Sequence, residues 1–385
     1  MVMGTILFVD DERNVLSSLS RELRDWSRGR SVEIRTASSA GEGLRLLESE
    51  GPDVAVVVSD LRMPGMSGSD FLLRVRELYP AIVTILLTGF SEPEELMRVI
   101  GAGLFRYIIK PWEPEYLKNE LDRALEMWRL RASEREREKA IEEELRLAGE
   151  MQRALLRPMI GDSEGVEFRT SYRPMPGLSC GGDYFDIIGL GARRYVILVG
   201  DVSGHGVRAA FITGILKAII YHEYIRPTAG EPFSPSSFLS WLNLRMDPEL
   251  RKISGTILTF FAGLLDTAEG TLAFANAGHN HPFIVSSKAV RELTLSGLGI
   301  GFSPDAGFLE ETIEISKGEV LFAYTDGLVE AGAKDGPTPA QRLPEILART
   351  PYGGDFHERV LAAMLGESGA DDFEDDVALL TAKLL

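Results

Sequence analysis

The sequence is poor in cysteine and has no long apolar run. Cys180 is the only cysteine of the 385 residues, so the chain can form no internal disulfide, and a reducing, cytoplasmic compartment is expected. No apolar run reaches the roughly 18 residues that span a bilayer, and the apolar start of the chain is too short for a signal peptide. The spacings H-E-x-x-H and C-x-x-C, which are typical of zinc sites, do not occur. These absences exclude a membrane partner and a zinc hydrolase of those types.

Positive charge is also scarce. The chain has 41 Lys and Arg residues against 58 Asp and Glu residues, which gives a formal net charge of −17. Because a nucleic-acid backbone needs a basic face, we predict no nucleic-acid partner. The length and the 44% hydrophobic content are typical of a globular protein with two or three domains.

Short apolar runs alternate with amphipathic stretches over residues 1–125. Five runs have the length and composition of buried strands: Thr5–Val9, Val32–Ala37, Asp53–Ser59, Ala81–Leu87 and Phe105–Ile109. The stretches that follow them have helical periodicity: Asn14–Arg28, Ala40–Glu50, Gly68–Leu78, Glu92–Gly101 and Pro114–Trp128. Five consecutive βα repeats predict an α/β domain with a doubly wound, five-stranded parallel sheet.

Polar residues follow four of these five strands. They are Asp10, Asp11, Asp60, Thr88 and Lys110. Because the carboxyl ends of parallel strands meet at one rim, where such sheets bind ligands, we expect these side chains to converge. Three carboxylates favour a divalent cation, and a carboxylate beside Mg²⁺ and a lysine can attack a phosphoryl donor.

Four segments in this region carry a resemblance to a known family. They read F-V-D-D-E, S-D-L-R-M-P-G-M-S-G, L-L-T-G and Y-I-I-K-P-W. With them, residues 5 to about 125 resemble a response-regulator receiver domain. The resemblance implies that Asp60 accepts a phosphoryl group from a sensor histidine kinase. It also implies that Asp10 and Asp11 hold Mg²⁺ together with Asp60, and that Lys110 contacts the phosphoryl group.

The same resemblance implies a switch in which Thr88 couples to the aromatic Tyr107. Phosphorylation would then bias a two-state equilibrium in the stretch from Thr88 through the fifth strand. The alternative for Tyr107 is an ordinary half-exposed strand aromatic.

Residues 114–157 have the pattern of a connector helix. After Pro114, no glycine occurs until Gly149 and no proline until Pro158. A helical apolar stripe is interrupted by the charged segment Ser133–Lys139 and then resumes. This broken heptad is compatible with a coiled coil that joins two copies of the chain, and also with a solvated spacer helix rich in ion pairs.

From residue 158 to 385 the pattern changes to successive strands joined by short turns. The predicted strands are Glu167–Tyr172, Tyr184–Leu190, Tyr195–Val199, Thr256–Leu265, Thr271–Ala275, Pro282–Val285, Phe308–Ile315, Glu319–Tyr324 and Val377–Lys383. The predicted helices are Arg208–Tyr224, Pro235–Asp247, Thr338–Ala348 and Asp355–Leu365. This order predicts antiparallel sheets in an α-β-β-α sandwich.

Aspartates stand at the boundaries of several of these strands. If the runs before and after Gly191 are antiparallel neighbours, Asp183 and Asp201 meet at one end of a sheet. Paired carboxylates repel each other unless a cation or a proton lies between them, and oxygen ligands suit Mg²⁺ or Mn²⁺. Asp326 ends another apolar run, and Asp375 and Asp376 precede a third. Each acid by itself is compatible with a turn residue, but together they indicate a two-metal site.

A second resemblance covers roughly residues 145–385. The motifs that carry it are L-A-G-E-M-Q-R-A-L-L, Y-R-P, G-G-D-Y-F-D, G-D-V-S-G-H-G-V-R-A-A, N-A-G-H-N-H-P, Y-T-D-G-L-V-E-A and D-D-V-A-L-L. They resemble the PP2C-type protein phosphatases of the bacterial sporulation stage II branch. His281, where proline is usual, and Ala378, where threonine or serine is common, depart from the family pattern.

The resemblance implies a set of ligands for two Mg²⁺ or Mn²⁺ ions. Asp183 and Asp201 would bind both ions, and Val202 would contribute its backbone carbonyl. Asp326 and Asp375 would complete one ion. His205 is interpreted as a residue that structures its loop, with a general-acid role as the alternative.

Together the two resemblances imply a two-component output enzyme. The expected reaction is hydrolysis of phosphoserine or phosphothreonine on a partner protein, such as an anti-sigma-factor antagonist, under control of phosphorylation at Asp60. The alternatives are a non-enzymatic adaptor with a phosphatase-like domain and a hydrolase for small phosphoesters.

Overall fold

The computed structural model divides the chain into two compact units, Met1–Ile141 and Glu142–Leu385. We treat each unit by itself. The structure describes residues 4–50, 53–89, 97, 98, 100, 101, 103–158, 160, 163–191, 193–226, 232–253, 255–330 and 338–385.

The first unit is built on one parallel sheet. Its strands are β1 (Thr5–Val9), β2 (Glu33–Ala37), β3 (Val54–Asp60), β4 (Val83–Thr88) and β5 (Arg106–Ile109). The strand order is β2-β1-β3-β4-β5, and every pair is parallel. The central strands β1, β3 and β4 are buried along their whole length, which agrees with their Val-, Ile- and Leu-rich sequences. The predicted doubly wound sheet is therefore confirmed.

The helices of this unit cover both faces of the sheet. They are α1 (Arg13–Glu22), α2 (Arg24–Arg30), α3 (Ala40–Glu50) and α4 (Gly68–Leu78). The single helix predicted over Asn14–Arg28 is wrong, because the chain bends at Leu23. Leu19, Leu23 and Trp26 lie on both sides of that bend and are buried in the same core. The helix predicted over Glu92–Gly101 falls mostly outside the described residues.

The connector is one continuous helix, α5 (Pro114–Leu156), of 43 residues. Leu117, Leu121 and Leu125 are buried in the core of the first unit. Residues 133–144 are all exposed, and Arg146 forms an ion pair with Glu143 at 2.7 Å. Within the described part of the chain, no helix has both the length and the apolar composition that crossing a membrane requires.

The second unit contains two antiparallel five-stranded sheets. Its strands are β6 (Val166–Arg173), β7 (Asp183–Gly191), β8 (Arg194–Val202), β9 (Leu258–Asp266), β10 (Thr271–Ala277), β11 (Phe283–Val285), β12 (Val290–Glu292), β13 (Glu311–Glu314), β14 (Val320–Tyr324) and β15 (Val377–Leu384). One sheet has the order β13-β10-β9-β8-β7, and the other has the order β12-β11-β14-β15-β6.

Helices cover the outer face of each sheet. They are α6 (Val207–Ile219) with its π-helical extension Ile220–Ile225, α7 (Pro235–Leu250), α8 (Gly327–Glu330), α9 (Pro339–Arg349) and α10 (Phe356–Ser368). One core lies between the two sheets, a second lies under α6 and α7, and a third lies under α9 and α10. Three cores between four layers confirm the predicted α-β-β-α sandwich.

Two strands differ from the sequence expectation. The run Phe308–Ile315 forms a strand only at Glu311–Glu314, because its ladder with β10 pairs only four residues. Phe308 and Ile315 are buried in different cores without belonging to that ladder. Strand β12 has the polar sequence V-R-E and could not be found by apolar patterning, since it is an edge strand that is specified by its pairing with β11.

Gly149 allows the last turns of α5 to lie directly on the segment before β7. A Cβ atom at this position would lie 1.9 Å from the carbonyl oxygen of Ser179. Gly214 in α6 is a natural control, because a Cβ atom there would meet nothing within 4 Å.

We expect Gly149→Ala to lower the free energy of unfolding of the second unit by about 1–3 kcal/mol, which is the usual range for overpacking. Gly214→Ala should raise it by about 0.5–1 kcal/mol, because alanine loses less backbone entropy in a helix. Calorimetric unfolding of the two variants tests the pair. Equal effects of the two substitutions would contradict this close approach of α5.

Candidate functional site

The rim of the parallel sheet brings together three of the predicted side chains. Asp60 is the last residue of β3, and Asp10 follows β1, the neighbouring strand. Lys110, which follows β5, donates from Nζ to Asp10 Oδ2 at 2.9 Å and also forms an ion pair with Asp60. The two carboxylates are therefore held on one ammonium group.

Asp60 is shielded from solvent, with 8% of its surface exposed. Burial raises the pKa of its carboxyl, against the lowering effect of the hydrogen bond and charge of Lys110. The backbone N–H of Arg62 donates to Asp60 Oδ2 at 2.9 Å. A Cβ atom at Gly68 would lie 1.7 Å from the Asp60 carbonyl oxygen, which explains the glycine at the end of M-P-G-M-S-G.

The other residues predicted for this rim lie around these three. Asp11 is exposed beside the buried Asp10. Thr88 is buried at the end of β4, and its hydroxyl donates to the carbonyl of Gly89 at 2.9 Å. Tyr107 lies on β5 with 39% of its surface exposed, opposite Leu86 in the ladder. The direct coupling of Thr88 to Tyr107 stays a prediction.

In the second unit, Asp183 and Asp201 face each other across two paired strands. Strands β7 and β8 are antiparallel, and Asp183 is the register partner of Asp201. Alternation along β7 places Asp183 on the same face as Phe185 and Ile187, which belong to the core between the two sheets. The predicted meeting of these two carboxylates at one end of a sheet is confirmed.

The second sheet brings further acids to the same end of the sandwich. Asp326 follows β14, and Asp375 and Asp376 precede β15, which pairs with β14. The hydroxyl of Thr325 donates to Asp183 Oδ2 at 2.8 Å and accepts from the backbone N–H of Ala378 at 2.8 Å. This threonine therefore links the carboxylate of one sheet to the backbone of the other.

The electrostatics of the cluster disfavour ionised carboxylates. Burial raises the pKa of Asp183 well above its ordinary value, and the charge of Asp201 raises it further. Burial, and then the charges of Asp326 and Asp375, raise the pKa of Asp201. For Asp326, burial and the neighbouring Glu330 raise the pKa to about 6. Such a cluster is stabilised by protons or by cations.

Sequence reasoning missed the role of Asp376. Its carboxylate is buried and accepts from the backbone N–H groups of Met175 at 2.8 Å and Gly182 at 2.9 Å. A Cβ atom at Gly181 would lie 1.4 Å from Asp376 Oδ2. The double glycine before Asp183 was the available signal, because one of these glycines is required by contact with this carboxylate.

Gln152 near the end of α5 is a second residue that the sequence did not single out. It is buried, and its amide donates to the carbonyl of Gly181 at 2.7 Å and accepts from the N–H of Gly181 at 3.2 Å. The same amide donates to the hydroxyl of Thr213 in α6 at 2.9 Å. One side chain thus holds α5, α6 and the loop that precedes Asp183.

The histidines and the two residues that depart from the family pattern, His281 and Ala378, lie in different parts of the second unit. His205 is exposed on the loop after β8, while His279 is buried with Nδ1 2.8 Å from Thr259 Oγ1. His281 lies 2.9 Å from Glu292. Ala378 is buried between the sheets, where its backbone N–H donates to the hydroxyl of Thr325. The interpretation of His205 as a residue that structures its loop stays a prediction.

The side chains predicted as metal ligands in the second unit are those of Asp183, Asp201, Asp326 and Asp375. All of them are carboxylates, which are the ligands of Mg²⁺ and Mn²⁺, although the residues are spread apart. The Val202 carbonyl oxygen lies 2.4 Å from where a Cβ on Gly182 would be, so glycine is required beside it. Within the described residues, no three His, Cys, Asp or Glu side chains lie close enough together to enclose an ion. The observation that fits a cation to this place is that the carboxylate of Asp183 is buried and lies opposite Asp201 in the register of β7 and β8.

Two family models match the chain at the positions of the two units. The response regulator receiver domain matches residues 6–122, and Stage II sporulation protein E (SpoIIE) matches residues 191–385. The folds of the two units and these matches therefore define a response regulator whose second domain has the PP2C-type phosphatase fold. Because the second match covers half of the chain, this chain belongs to the Stage II sporulation protein E family.

Individual relatives cover smaller parts of the chain. It is 38% identical over 130 residues to the hydrogenase transcriptional regulatory protein HoxA of Bradyrhizobium diazoefficiens, which is 34% of this chain and 25% of that protein. It is 28% identical over 202 residues to protein IcfG of Synechocystis, which is 45% of this chain and 31% of that protein. The chain thus spans between a quarter and a third of the length of these relatives.

Among solved structures, the SiaA-PP2C domain of Pseudomonas aeruginosa has the same fold. It aligns with a TM-score of 0.54 and 23% identity over 64% of this chain and 98% of that structure.

The place of Asp376 leads to a stability prediction. Asp376→Ala should lower the free energy of unfolding of the second unit by about 1–3 kcal/mol, because the N–H groups of Met175 and of the buried Gly182 lose their acceptor. Asp372→Ala is the matched control, since that aspartate is half-buried and forms a 2.8 Å surface ion pair with Arg173, which is worth about 1 kcal/mol or less. Urea unfolding measures both, and a smaller effect at position 376 than at 372 would contradict the role of Asp376.

Proposed function

We propose that this chain is a two-component response regulator whose output is the hydrolysis of phosphoserine or phosphothreonine on a partner protein. The main support for this proposal is that Asp183 lies opposite Asp201 in the register of β7 and β8, with Asp326 and Asp375 at the adjoining end of the other sheet. Membership of the Stage II sporulation protein E family supports this reading. The proposed partners are a sensor histidine kinase and a phosphoprotein substrate such as an anti-sigma-factor antagonist.

The proposal gives each residue of the cluster a role. Asp183 and Asp201 would hold two Mg²⁺ or Mn²⁺ ions, with the carbonyl of Val202 and the carboxylates of Asp326 and Asp375 completing the set. When bound, such ions lower the pKa of a water and neutralise charge on a phosphoryl group. Thr325 orients Asp183 through its 2.8 Å hydrogen bond, and Asp376 fixes the loop before Asp183.

In the first domain, the proposal assigns phosphoacceptor chemistry to Asp60. Asp10 and Asp11 would hold Mg²⁺ with it, and Lys110 would contact the phosphoryl group. The 2.9 Å contact from Lys110 to Asp10 supports this arrangement. Phosphorylation adds negative charge beside Lys110, so it would redistribute the contacts that now join Lys110 to both aspartates.

Control of the second domain would act through α5. Gln152 on this helix holds both Gly181 and Thr213, so a displacement of the helix would be felt by the loop before Asp183. Pairing of two copies through α5 is the proposed oligomeric state.

Metal dependence is tested by removing the ions with EDTA and restoring Mn²⁺. We expect turnover of a phosphoserine protein to be lost and regained, and Asp201→Asn to reduce kcat at least 100-fold. Asp266→Asn is the matched control, because Asp266 lies at the opposite end of the same sheet, paired with Arg194. Full turnover by Asp201→Asn would contradict Asp201 as a metal ligand, and a wild type without metal-dependent turnover would indicate an adaptor and not an enzyme.

The raised pKa values predict how Mn²⁺ affects stability. A carboxyl whose pKa is higher in the folded than in the unfolded chain stabilises the fold below about pH 4 and loses that contribution as the pH rises through the folded pKa. For Asp326 that value is about 6, and the pKa of Asp201 is raised as well. The increase in Tm caused by Mn²⁺ should therefore be larger at pH 8 than at pH 6. An equal increase at both pH values would contradict the cluster as the binding place.

Control by Asp60 is tested with beryllofluoride, which mimics a phosphoryl group. We expect the mimic to change the phosphatase kcat/KM of the full chain at least threefold, because it recruits Lys110 from its two carboxylates. Asp60→Asn, which cannot form the adduct, should show no response. An equal response of both proteins, or none in either, would remove Asp60 from control.

A further inference from the structure

A pocket beside the carboxylate cluster has the opposite electrostatic character. It has a volume of about 330 Å³ and is lined mainly by Ser203, Gly204, His205, Arg208, Gly255 and Thr256. The lining contains an arginine and a histidine, and none of the lining residues, all of which the structure describes, is acidic. The volume is at the lower end of the range for ligand sites, which is about 300–1,000 Å³.

The pocket adjoins the loop that precedes Asp183. The carbonyl oxygen of Gly204, in its wall, lies 3.1 Å from the position that a Cβ atom on Gly182 would take. Ser203, two residues after Asp201, fixes this wall, because its N–H donates to the Ile257 carbonyl at 2.9 Å and its hydroxyl accepts from the Ile257 N–H at 2.8 Å. A molecule whose phosphoryl group lies at the carboxylates therefore has neighbouring atoms within reach of the pocket.

Arg208 is oriented in this pocket by a contact to the opposite wall. Its Nη2 donates to Thr256 Oγ1 at 3.0 Å. A guanidinium is a planar fork of N–H donors that matches a carboxylate in geometry. Its position in the first turn of α6 adds the partial positive charge of a helix N-terminus.

The acidic surroundings of Arg208 favour the binding of a negatively charged side chain at this guanidinium group. The chain carries a net charge of −17, and the charges of Asp326, Asp375, Asp376 and Glu330 all act on Asp201. An acidic segment of a substrate is repelled by that cluster, so a cationic pocket next to it is the favourable place for a negatively charged side chain.

We propose that the Arg208 pocket is a substrate subsite that binds a carboxylate side chain close to the phosphorylated residue. This inference depends on the proposed phosphatase function and adds a preference for acidic flanks to it. Arg208 is then a specificity-determining residue, since it contacts the substrate beside the reacting group.

The test uses the full chain with Mn²⁺ and two phosphoserine peptides that differ only in having Glu or Gln next to the phosphoserine. The wild type should prefer the Glu peptide about tenfold in kcat/KM, through KM, because one charge-assisted contact is worth about that factor. Arg208→Ala should bring the ratio of the two peptides close to one. Arg291→Ala, an exposed arginine on β12 in the other sheet, is the control and should keep the wild-type ratio.

A charge reversal separates recognition from damage to the fold. Arg208→Glu should prefer a peptide with Lys at the same flank over the Glu peptide, an inversion that a misfolded variant cannot produce. No preference in the wild type, or a preference that survives Arg208→Ala, would overturn the proposal. An equal loss with p-nitrophenyl phosphate and both peptides would place Arg208 on the phosphoryl group and would also overturn it. A wild type that turns over none of these substrates would contradict the phosphatase function itself.

Discussion

The structure of the second domain depends on two carboxylates that repel each other and are nevertheless held face to face. The antiparallel register of β7 and β8 places Asp183 opposite Asp201. Burial raises the pKa values of both, the charge of Asp201 raises that of Asp183 further, and the charges of Asp326 and Asp375 raise that of Asp201, so the fold keeps these acids together at an electrostatic cost. That cost is offset by the apolar core between the sheets, in which the alternate residues of β7 and β8 lie. A divalent cation would turn the repulsion into attraction, and this is why we propose metal chemistry at this end of the sandwich.

Hydrogen bonds to a hydroxyl and to backbone N–H groups hold the acids in place. Thr325 bridges Asp183 and the backbone of β15, and Asp376 binds the N–H groups of Met175 and Gly182. Both contacts join segments that are far apart in the chain. The cluster therefore forms only when the two sheets have come together, which ties its assembly to the complete fold.

Much of this arrangement could be predicted from the sequence, because its signals are local. Alternating apolar runs determine the strands, and an aspartate beside glycine marks a strand end. The sheets and the pair formed by Asp183 and Asp201 could therefore be predicted. The break at Leu23 and the polar strand β12 depend on tertiary packing that periodicity does not encode. The roles of Gln152 and Asp376 could not be predicted for a related reason, since both bind backbone groups that are distant in the sequence. The partner of Gln152 lies 29 residues away, and the partners of Asp376 lie 194 or more residues away.

The receiver domain also brings carboxylates together, but it stabilises them in a different way. There, Lys110 forms ion pairs with both Asp10 and Asp60, whereas in the second domain no described ammonium or guanidinium group is bonded to Asp183 or Asp201. We propose that this pair is completed by divalent ions. Anomalous diffraction at the manganese edge, from crystals grown with Mn²⁺, tests it most directly. We predict two peaks between the carboxylates of Asp183 and Asp201 and the segments of Asp326 and Asp375, and the absence of any peak at these carboxylates would contradict the account.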